Sequence, residues 1–440
     1  MHSLSRRLAR DARGLTFDQL GADTITKVKI GILDMLSCAF EAGELPWGEQ
    51  AIRMASASGS GPATIIGTPF HAPTGDAAFA NATLGHGLVR EDMHTGAVSH
   101  LGVVIYPALL ALSQTRKASG RDFVVAAVCG YEVGAGIGRA LMDRELVRRF
   151  RPTGITGPLA GAMACSRLLR LDEDATVSAL GFAANATCGL NEWSYSGGDE
   201  MFFHPGFASR NGVTAVELAR LGGHASETAL DGPSGLFAGL GRSDRLAEVS
   251  AFSGGSLEIL SVYNKPAPAC NYAQTACQAA LRLARDVDSR QITAITVRAS
   301  AAAVEYPGCN YSGPFERVLQ AKMSIQYCVA ATLARGVLEE ANYRLPCDSE
   351  IARLARTTRL EIDSEFTAAY PVRQGAEVIV ELPGRQLASR MANLEPATAG
   401  EIRARFRAAC GTMAQAIEQH VENLEDLDDV GELSAMLGKS

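Results

Sequence analysis

The sequence has few of the features that mark nucleic-acid-binding, membrane-spanning or secreted proteins. It has no Lys/Arg-rich run and is acidic, with 41 Lys and Arg against 48 Asp and Glu, which argues against a nucleic-acid partner. No apolar stretch reaches about 18 residues without a charge or a helix breaker, so no membrane span is expected. The N-terminal MHSLSRRLARDARGL has arginines but lacks the apolar region of a secretory signal. We expect a cytoplasmic protein, with a mitochondrial presequence as the weaker alternative.

The sequence also lacks the spacing of a zinc site or of a disulfide framework. The ten cysteines are scattered, no two form a CxxC pair, and the eight histidines do not cluster with them at zinc-site spacing. In a long chain without a secretory signal, we expect these thiols to stay reduced and to be buried as small apolar residues. No metal site is predicted.

The first part of the chain has a long Ala- and Gly-rich helical pattern. Near residue 265 this changes to a pattern that includes strand-like alternation. At 440 residues, two domains are expected. From residue 17 to about 260, apolar residues recur at helical spacing, as in TITKVKIGILDMLSCAFEAG, which closes on Gly43. After that, QITAITVRAS, TRLEIDSEF and AEVIVELPGRQLASRM alternate as strands do, and the last turns at Pro383-Gly384. The pattern predicts a mostly α protein with a large all-helical domain over 1–264, a smaller α+β domain over 265–398, and helices over 399–440 that return to the large domain.

Groups with acid–base chemistry gather in one short span, LGHGLVREDMHTGAVSH, at residues 84–100. It holds three of the eight histidines, His86, His94 and His100, with Glu91 and Asp92 among them. Its glycines favour a loop, and a loop that carries imidazoles and carboxylates can position a general base. The alternative is a turn whose histidines are only hydrogen-bonded to their neighbours.

Three further places carry candidate functional residues. The stretch RRFRPTGITGP sets Arg148, Arg149 and Arg151 before a run of small apolar residues, which indicates either a solvated turn or an anion site. Lys265, at the predicted domain junction, is either a desolvated base or a surface lysine. His204, in HPGFASR, precedes a Pro-Gly and a predicted helix start. Small-ligand sites favour domain interfaces, so the junction near Lys265 is a candidate site.

Together these segments resemble the MmgE/PrpD family, which includes 2-methylcitrate dehydratases, cis-aconitate decarboxylases and iminodisuccinate epimerases. The resemblance covers nearly the whole chain and is carried, in order, by NATLGHGLVREDMHTGAVSHLGVVIYPALLAL, SGRDFVVAAVCGYEVGAGIGRAL, RPTGITGPLAGAMACSRLLRLD, HPGFASRNGVTAVELARLGG and NKPAPAC. It implies the MmgE/PrpD fold, a homodimer, a site between the domains, and no metal, nucleotide or organic cofactor. It also implies proton abstraction next to a carboxylate on di- or tricarboxylates.

The chain departs from the dehydratases and decarboxylases at several positions of this pattern. The first span keeps Asp92 and His100 but lacks the proline that usually follows the histidine, and the Lys265 of the K-x-x-P segment is kept. Positions that often hold a histidine or a lysine carry other residues here: Arg151 before Pro-Thr-Gly, Met201 shortly before HPGFASR, and Asn271, Tyr272 and Gln274 after NKPAPAC. The scaffold is therefore similar to that of the family, while much of the lyase machinery is replaced.

The replacement of histidine by Arg151 decides the expected reaction. An arginine is a permanent cation that binds carboxylates and cannot protonate a leaving hydroxide, which favours a reaction of proton removal and return. We therefore expect a cofactor-independent epimerase of a polycarboxylate amino acid such as iminodisuccinate. Lys265 and His100 are predicted to be the two bases, Asp92 to orient a histidine, and Arg151 to bind a carboxylate together with the helix N-terminus near Gly154.

Other site residues and other functions complete the expectation. The remaining candidates for substrate binding are His94, Arg149, Thr153, His204 and Tyr272. The alternative function is a hydro-lyase resembling 2-methylcitrate dehydratase or a carboxy-lyase resembling cis-aconitate decarboxylase, and a further one is a non-catalytic dimer that binds polycarboxylates. The expected partners are a small polycarboxylate substrate and a second copy of the chain, without nucleic acid or membrane.

Overall fold

Helices make up most of the N-terminal part of the chain, whose computed structural model describes residues 2–253 and 255–438. Its α-helices are α1 (Leu4–Gly14), α2 (Ala22–Glu41), α3 (Pro46–Ala57), α4 (Thr74–His86), α5 (Gly102–Ser113), α6 (Gly120–Leu141), α7 (Leu146–Arg149), α8 (Pro152–Leu168), α9 (Glu173–Asn185), α10 (Trp193–Ser196), α11 (Glu200–Arg220) and α12 (Leu236–Gly239). Helix α8 packs against α5, α6, α9 and α11, and α11 also packs against α4. These helices form the core on which the candidate site is built.

Local sequence explains where several of these helices begin and end. Asp172 caps α9, because its side chain accepts a hydrogen bond from the backbone N–H of Ala175 at 2.8 Å. Helix α2 ends at Glu41 and a short 3-10 turn over Ala42–Glu44 follows, so Gly43 lies in that turn and is not the C-cap that the sequence predicted. The helix expected to begin after His204 begins earlier, at the start of α11.

A four-stranded sheet forms the centre of the C-terminal part. The strands of the chain are β1 (Ala63–Thr64), β2 (His71–Ala72), β3 (Met93–His94), β4 (Val262–Tyr263), β5 (Ala294–Ala299), β6 (Thr358–Ile362), β7 (Ala376–Leu382) and β8 (Arg385–Met391). In the sheet β6–β5–β7–β8, β5 and β6 are parallel and the other pairs are antiparallel. The predicted turn Pro383-Gly384 joins β7 to β8, and Gly384 adopts a φ of 74°, which glycine accommodates without strain.

Helices flank this sheet and then return to the helical core. They are α13 (Gln274–Ala284), α14 (Ala301–Val304), α15 (Val318–Met323), α16 (Ile325–Arg335), α17 (Ser349–Thr357), α18 (Ser364–Ala369), α19 (Ala399–Cys410), α20 (Ala414–Glu422) and α21 (Val430–Ala435). Helix α13 packs on β7 and β8, and α19 packs on α2. The mostly α fold with a smaller α+β part is confirmed, while the boundaries 1–264, 265–398 and 399–440 stay a prediction.

Burial accounts for the most apolar helix and for most of the cysteines. Helix α6 has the length and the mean hydropathy of a membrane span, but 94% of its most apolar window is buried inside the fold, as in the core helix of a globular protein. The ten cysteines are free thiols, and seven of them are buried, in line with the expectation. Cys188 is exposed, and Cys347 and Cys410 are half-buried, so the expected burial is wrong for these three.

Candidate active site

The loop between α4 and α5 is held in a strained conformation. Val89 and Val98 adopt φ angles of 58° and 52°, which β-branched residues rarely tolerate. Strands β3 and β4 pair within this region, and the backbone N–H of His94 donates to the carbonyl of Ser99 at 3.0 Å, closing the loop. Such strain is maintained only where the surroundings impose it, and it concentrates at functional sites.

One carboxylate in this loop binds two histidines. Oε1 of Glu91 lies 2.5 Å from Nδ1 of His86 and 2.8 Å from Nδ1 of His100, and all three side chains are buried. Nδ1 of His100 also lies 2.8 Å from the backbone carbonyl of Asp92. In the arrangement that satisfies these contacts, His86 donates its Nδ1–H to Glu91, His100 directs its Nδ1–H at both the Asp92 carbonyl and Glu91, and Nε2 of each ring is unprotonated.

The charges around Glu91 explain how these groups titrate. Burial opposes ionisation of Glu91, but the attraction of His86, Lys265 and His100 outweighs it and holds the pKa of that carboxyl well below its usual range. Burial and the nearby Lys265 lower the pKa of His100 to about 3. Burial also lowers the pKa of His86. Glu91 is therefore ionised at neutral pH, and the two histidines are neutral.

Arg151 faces this group from the start of α8. Its Nη2 lies 3.4 Å from Nε2 of His86, and its guanidinium carbon lies 5.7 Å from the ring centroid of Trp193. The arginine is only 6% exposed, and its Nε has no hydrogen-bond partner among the described residues, nor has the buried indole Nε1 of Trp193. Two buried N–H groups without partners beside a cation form a binding place for a carboxylate.

The start of α8 is held in position by close backbone contacts. The backbone N–H of Arg151 donates to the carbonyl of Gly189 at 2.8 Å, and the N–H of Cys188 donates to the carbonyl of Gly154 at 3.1 Å. A Cβ on Gly154 would lie 1.9 Å from the carbonyl oxygen of Cys188, so only glycine fits there. The helix N-terminus that the sequence nominated as part of an anion site is thus packed against the Cys188-Gly189 backbone.

His100 and Arg151 line an enclosed space that we call the inner cavity, with a volume of about 20 Å³. Its wall consists of Val89, Met93, Val98, His100, Arg151, Trp193, Met201, Cys270, Asn271, Tyr272, Tyr306 and Met323. A larger space of about 290 Å³, the outer chamber, shares Val98, Tyr272 and Tyr306 with it. The two spaces lie between the helical part and the α+β part, as the resemblance implied.

Lys265 is buried next to this site but is bonded to backbone. Its Nζ donates to the carbonyls of Val89 and, at 3.3 Å, Ala269. A second buried lysine, Lys322, donates to the carbonyls of Leu88 at 3.0 Å and Pro268 at 3.1 Å. The sequence identified Lys265 as a base, but Lys265 is not in the wall of the inner cavity, because its ammonium group is directed at these carbonyls.

Besides Lys265, five of the predicted site residues lie outside the cavity wall. The carboxylate of Asp92 accepts from Tyr131 at 2.5 Å, so its backbone carbonyl and not its side chain contacts His100. Thr153 accepts from the backbone N–H of His100 at 3.0 Å, and His94 is bound to Glu258 at 2.9 Å. The expectation that the Asp92 carboxylate orients a histidine is therefore corrected, and the expected contact of His94 with substrate stays a prediction.

The other two residues outside the wall are Arg149 and His204. The side chain of Arg149 is 66% exposed and pairs with Glu145 at 2.8 Å on the helix surface, and its expected role in substrate binding stays a prediction. His204 lies inside α11, where its Nδ1 is buried without a partner among the described residues. Burial and the positive charge of Arg151 lower the pKa of His204 to about 3.

The site contains residues whose roles could not be assigned from the sequence, both in the cavity wall and next to it. Glu91 and His86 were noted in the histidine-rich span, but no signal there showed that Glu91 and not Asp92 bonds the imidazoles. Trp193 and Tyr306 had no signal at all, although tryptophan is rare here, with two in the chain. Of the lyase positions that this chain replaces, Arg151, Met201, Asn271 and Tyr272 all line the inner cavity, where they change its chemistry.

The Glu91 group is also the one place among the described residues where three potential metal ligands converge. Ligand atoms of His86, Glu91 and His100 lie within 4.8 Å of one another. Those same atoms bond to each other, so an ion would have to displace both hydrogen bonds to Glu91. The expectation of no metal therefore stays a prediction.

The helical core, the flanking α+β part and the buried site between them define a known class of protein. The chain belongs to the MmgE/PrpD family: residues 6–248 match the MmgE/PrpD N-terminal domain and residues 267–429 match the MmgE/PrpD C-terminal domain. The resemblance seen in the sequence is thereby confirmed.

Individual relatives within the family indicate which reaction class is the more similar one. The chain is 28% identical to "Cis-aconitate decarboxylase-like protein oryM" of Aspergillus oryzae, over 94% of this chain and 93% of that protein. It is 32% identical to the cis-aconitate decarboxylase of Aspergillus terreus over 51% of this chain and 47% of that protein. Identity to the cis-aconitate decarboxylase of Homo sapiens is 24%, over 99% and 95% of the two chains. These names favour the carboxy-lyase alternative over the epimerase.

Proposed function

We propose that the chain is a cofactor-independent carboxy-lyase that removes CO₂ from an unsaturated polycarboxylate of the cis-aconitate type. The observation that carries this proposal is the wall of the inner cavity. Within the described residues, that wall has one cationic side chain, Arg151, one imidazole, His100, and otherwise uncharged side chains. The family relatives named as cis-aconitate decarboxylases support the same reaction class.

An anchor for one carboxylate is the first requirement, and Arg151 supplies it. The free Nε–H of the guanidinium and the free Nε1–H of Trp193 are both buried at this wall. A carboxylate that accepts from them would satisfy groups that are otherwise unpaired, and charge-assisted hydrogen bonds of this kind are the strong ones. His86 keeps the guanidinium oriented through its Nε2.

Surroundings that favour loss of a second carboxylate are the next requirement. Met93, Val98 and Met323 present uncharged surfaces to the cavity. A carboxylate against such surfaces loses its hydration, whereas the CO₂ formed from it is neutral and needs none. The carbon–carbon bond to that carboxylate breaks, and its electron pair passes into the neighbouring unsaturated system.

A proton for the resulting carbanion is the last requirement, and His100 is the candidate donor. Burial and the charge of Lys265 hold its pKa at about 3, so the imidazole is neutral. Carboxylates of a bound substrate would raise this pKa, because they offset the field of the nearby cations. His100 would then take up a proton as substrate binds and deliver it to carbon, which balances the overall reaction of carboxylate plus proton to C–H plus CO₂.

The experiment is to incubate the purified protein with cis-aconitate and to follow CO₂ release and product formation by ¹³C NMR. We expect CO₂ and an unsaturated dicarboxylate from the wild type and from Arg149→Ala, whose side chain lies on the surface. Arg151→Ala should lose turnover by about 10²–10³ while keeping its circular dichroism spectrum. Absence of CO₂ release from cis-aconitate and from its alkyl-substituted analogues would refute the proposal.

Epimerisation is the second candidate, and one observation favours it. The residues that replace the usual lyase groups, Arg151 and Met201 among them, line the inner cavity itself. Proton removal and return on opposite faces needs two proton-transfer groups, and Lys265, the second predicted base, is directed at backbone carbonyls. Its participation would therefore require the lysine to turn into the cavity.

Isotope exchange separates the two reactions. Iminodisuccinate incubated with the enzyme in D₂O and resolved by chiral chromatography should remain unchanged if the chain is a carboxy-lyase. Stereochemical inversion with deuterium at the α-carbon, lost in both Lys265→Met and His100→Gln, would establish the epimerase and displace the decarboxylase. A non-catalytic protein would bind carboxylates and carry out neither reaction.

A further inference from the structure

The outer chamber has mainly uncharged walls, and three of its four charged residues form ion pairs. Val98, Met142, Val147, Ala301, Ala302 and Pro371 line it together with three tyrosine side chains. Arg144 pairs with Glu305, and Asp143 pairs with Arg242 at 2.8 Å. A chamber of about 290 Å³ beside a narrow reactive cavity has the size of a small-ligand site.

Arg148 is the exception among the charged residues of this wall. It lines the chamber, and no carboxylate within the described residues lies in ion-pair distance of it. Its neighbour Arg149, on the same turn of α7, does not line the chamber and pairs with Glu145. The two adjacent arginines thus differ in place and in pairing, although they have the same side chain.

The two spaces must share any polycarboxylate, because the inner cavity is too small for one. About 20 Å³ holds roughly one water molecule. Val98, Tyr272 and Tyr306 belong to both walls, and the hydroxyl of Tyr272 lies 3.3 Å from that of Tyr370 in the outer chamber. These shared side chains separate the two spaces, so a substrate with one carboxylate at Arg151 extends into the outer chamber only when they move aside.

We propose that Arg148 binds a second carboxylate of the substrate in the outer chamber while Arg151 binds the first in the inner cavity. The substrate is then an acyclic polycarboxylate whose anionic groups are separated by a carbon chain that passes the tyrosines. This inference rests on the proposed function for the carboxylate at Arg151 and adds the subsite that selects the rest of the molecule. Arg148 is exposed to solvent, so its contact with the second carboxylate is a solvated one of modest strength.

Calorimetric titration with propane-1,2,3-tricarboxylate and with butyrate tests this subsite in the whole protein. We expect Arg148→Ala and Arg148→Gln to weaken tricarboxylate binding by about tenfold, since one exposed charge-assisted contact is lost. Arg149→Ala, the matched control one residue away, should bind like the wild type. Butyrate has a single carboxylate, so its affinity should be the same in all four proteins.

The outcomes separate this inference from the proposed function. Equal tricarboxylate affinity in Arg148→Ala, Arg149→Ala and the wild type overturns the second anchor, and CO₂ release by the wild type is untouched by that result. A wild type that binds the tricarboxylate through Arg148 but releases no CO₂ from cis-aconitate keeps the subsite and removes the carboxy-lyase. Failure of the wild type to bind any tricarboxylate overturns both.

Discussion

Arg151 combines a packing contact and a free donor in one side chain, and this sets what a substitution does. One nitrogen of its guanidinium contacts Nε2 of His86, while Nε stays without a partner at the cavity. A lysine has the same charge but a single nitrogen, which cannot hold both positions. Arg151→Lys should therefore lower kcat/KM for cis-aconitate by at least tenfold without a change in the melting temperature. Near-wild-type kinetics in this variant would show that charge alone is sufficient.

Asp34 is a buried carboxyl whose titration affects stability. Burial raises its pKa to about 6, against 3.8 for an exposed aspartate, although Asn264 donates to it at 2.8 Å. Because the folded state holds the proton more tightly, the stability from this group is full at low pH and is lost as pH rises from about 4 to about 6. The loss is about 3 kcal/mol.

Asp34→Asn removes this titration and keeps the volume of the side chain. We expect its free energy of unfolding minus that of the wild type to increase by about 3 kcal/mol from pH 4 to pH 7 in urea titrations, because only the wild type loses stability over this range. The exposed Asp428→Asn serves as the control and should show no such trend. Parallel pH profiles for Asp34→Asn and the wild type would contradict the assignment.

For individual residues, the sequence predicted the correct segments of the site but not always the correct side chain. His100, Arg151 and Tyr272 were predicted and lie in the cavity wall. Asp92 was chosen over Glu91, yet adjacent residues in a turn point in different directions, and only the fold shows which carboxylate meets the imidazoles. Whether Lys265 is bonded to carbonyls likewise depends on distant chain segments that the local sequence does not specify.

Among the secondary-structure elements, α8 is the one most tightly constrained at its start. The Cys188-Gly189 backbone occupies the space that a Cβ on Gly154 would need, whereas the nearest atom to a Cβ on Gly161 lies at 3.5 Å, an ordinary contact. Gly154→Ala should therefore shift this backbone, displace Arg151 and lower both stability, by about 1–3 kcal/mol, and kcat/KM. Thermal unfolding and CO₂ release would measure these effects.

Gly161→Ala is the matched control in the same helix. It should leave activity unchanged and raise the free energy of unfolding by about 0.5–1 kcal/mol, since alanine is the better helix former. If both variants behave alike, the close approach at Gly154 does not hold Arg151 in position.

Element boundaries were harder to predict than element types. Alternation in QITAITVRAS and in AEVIVELPGRQLASRM predicted β5 and the β7–β8 hairpin correctly, because a side-chain period of two is a direct consequence of strand geometry. The start of α11 was placed too late, since the Pro205-Gly206 pair resembles a helix breaker. Tertiary packing against α4 and α8 keeps that helix continuous through the proline.

At the scale of the whole molecule, Lys322 joins the two parts of the chain. Its buried ammonium group donates to Leu88 and Pro268 carbonyls and pairs with Glu340 at 2.6 Å. Lys322→Met leaves those acceptors and the carboxylate without their partner, which costs about 3–5 kcal/mol. Calorimetry should show this loss as a lower melting temperature.

The double variant Lys322→Met/Glu340→Gln provides the control for this ion pair. Removing the unpaired carboxylate should recover part of the stability that Lys322→Met loses. A double variant that is as unstable as the sum of the two single variants would mean that the pair is not coupled.

The fold class and the family could be predicted from the sequence over nearly the full length, because they depend on patterns spread over many residues. The matches of residues 6–248 and 267–429 to the two MmgE/PrpD domains confirm the predicted family. The reaction could not be predicted in the same way, because it depends on a few residues of the cavity wall. One of them, Arg151, led to the expectation of an epimerase. The relatives favour decarboxylation instead, and only product analysis distinguishes the two.

The paired buried lysines have a consequence for how molecules reach and leave the site. Lys265 and Lys322 bond the α4–α5 loop to the C-terminal part, so separating the two parts of the chain would break their hydrogen bonds to the carbonyls of Val89 and Leu88. Tyr272 and Tyr306 line both spaces, so rotation of their rings is a smaller motion than separation of the two parts. We therefore expect a small molecule to enter by ring rotation, which is faster than movement of whole domains.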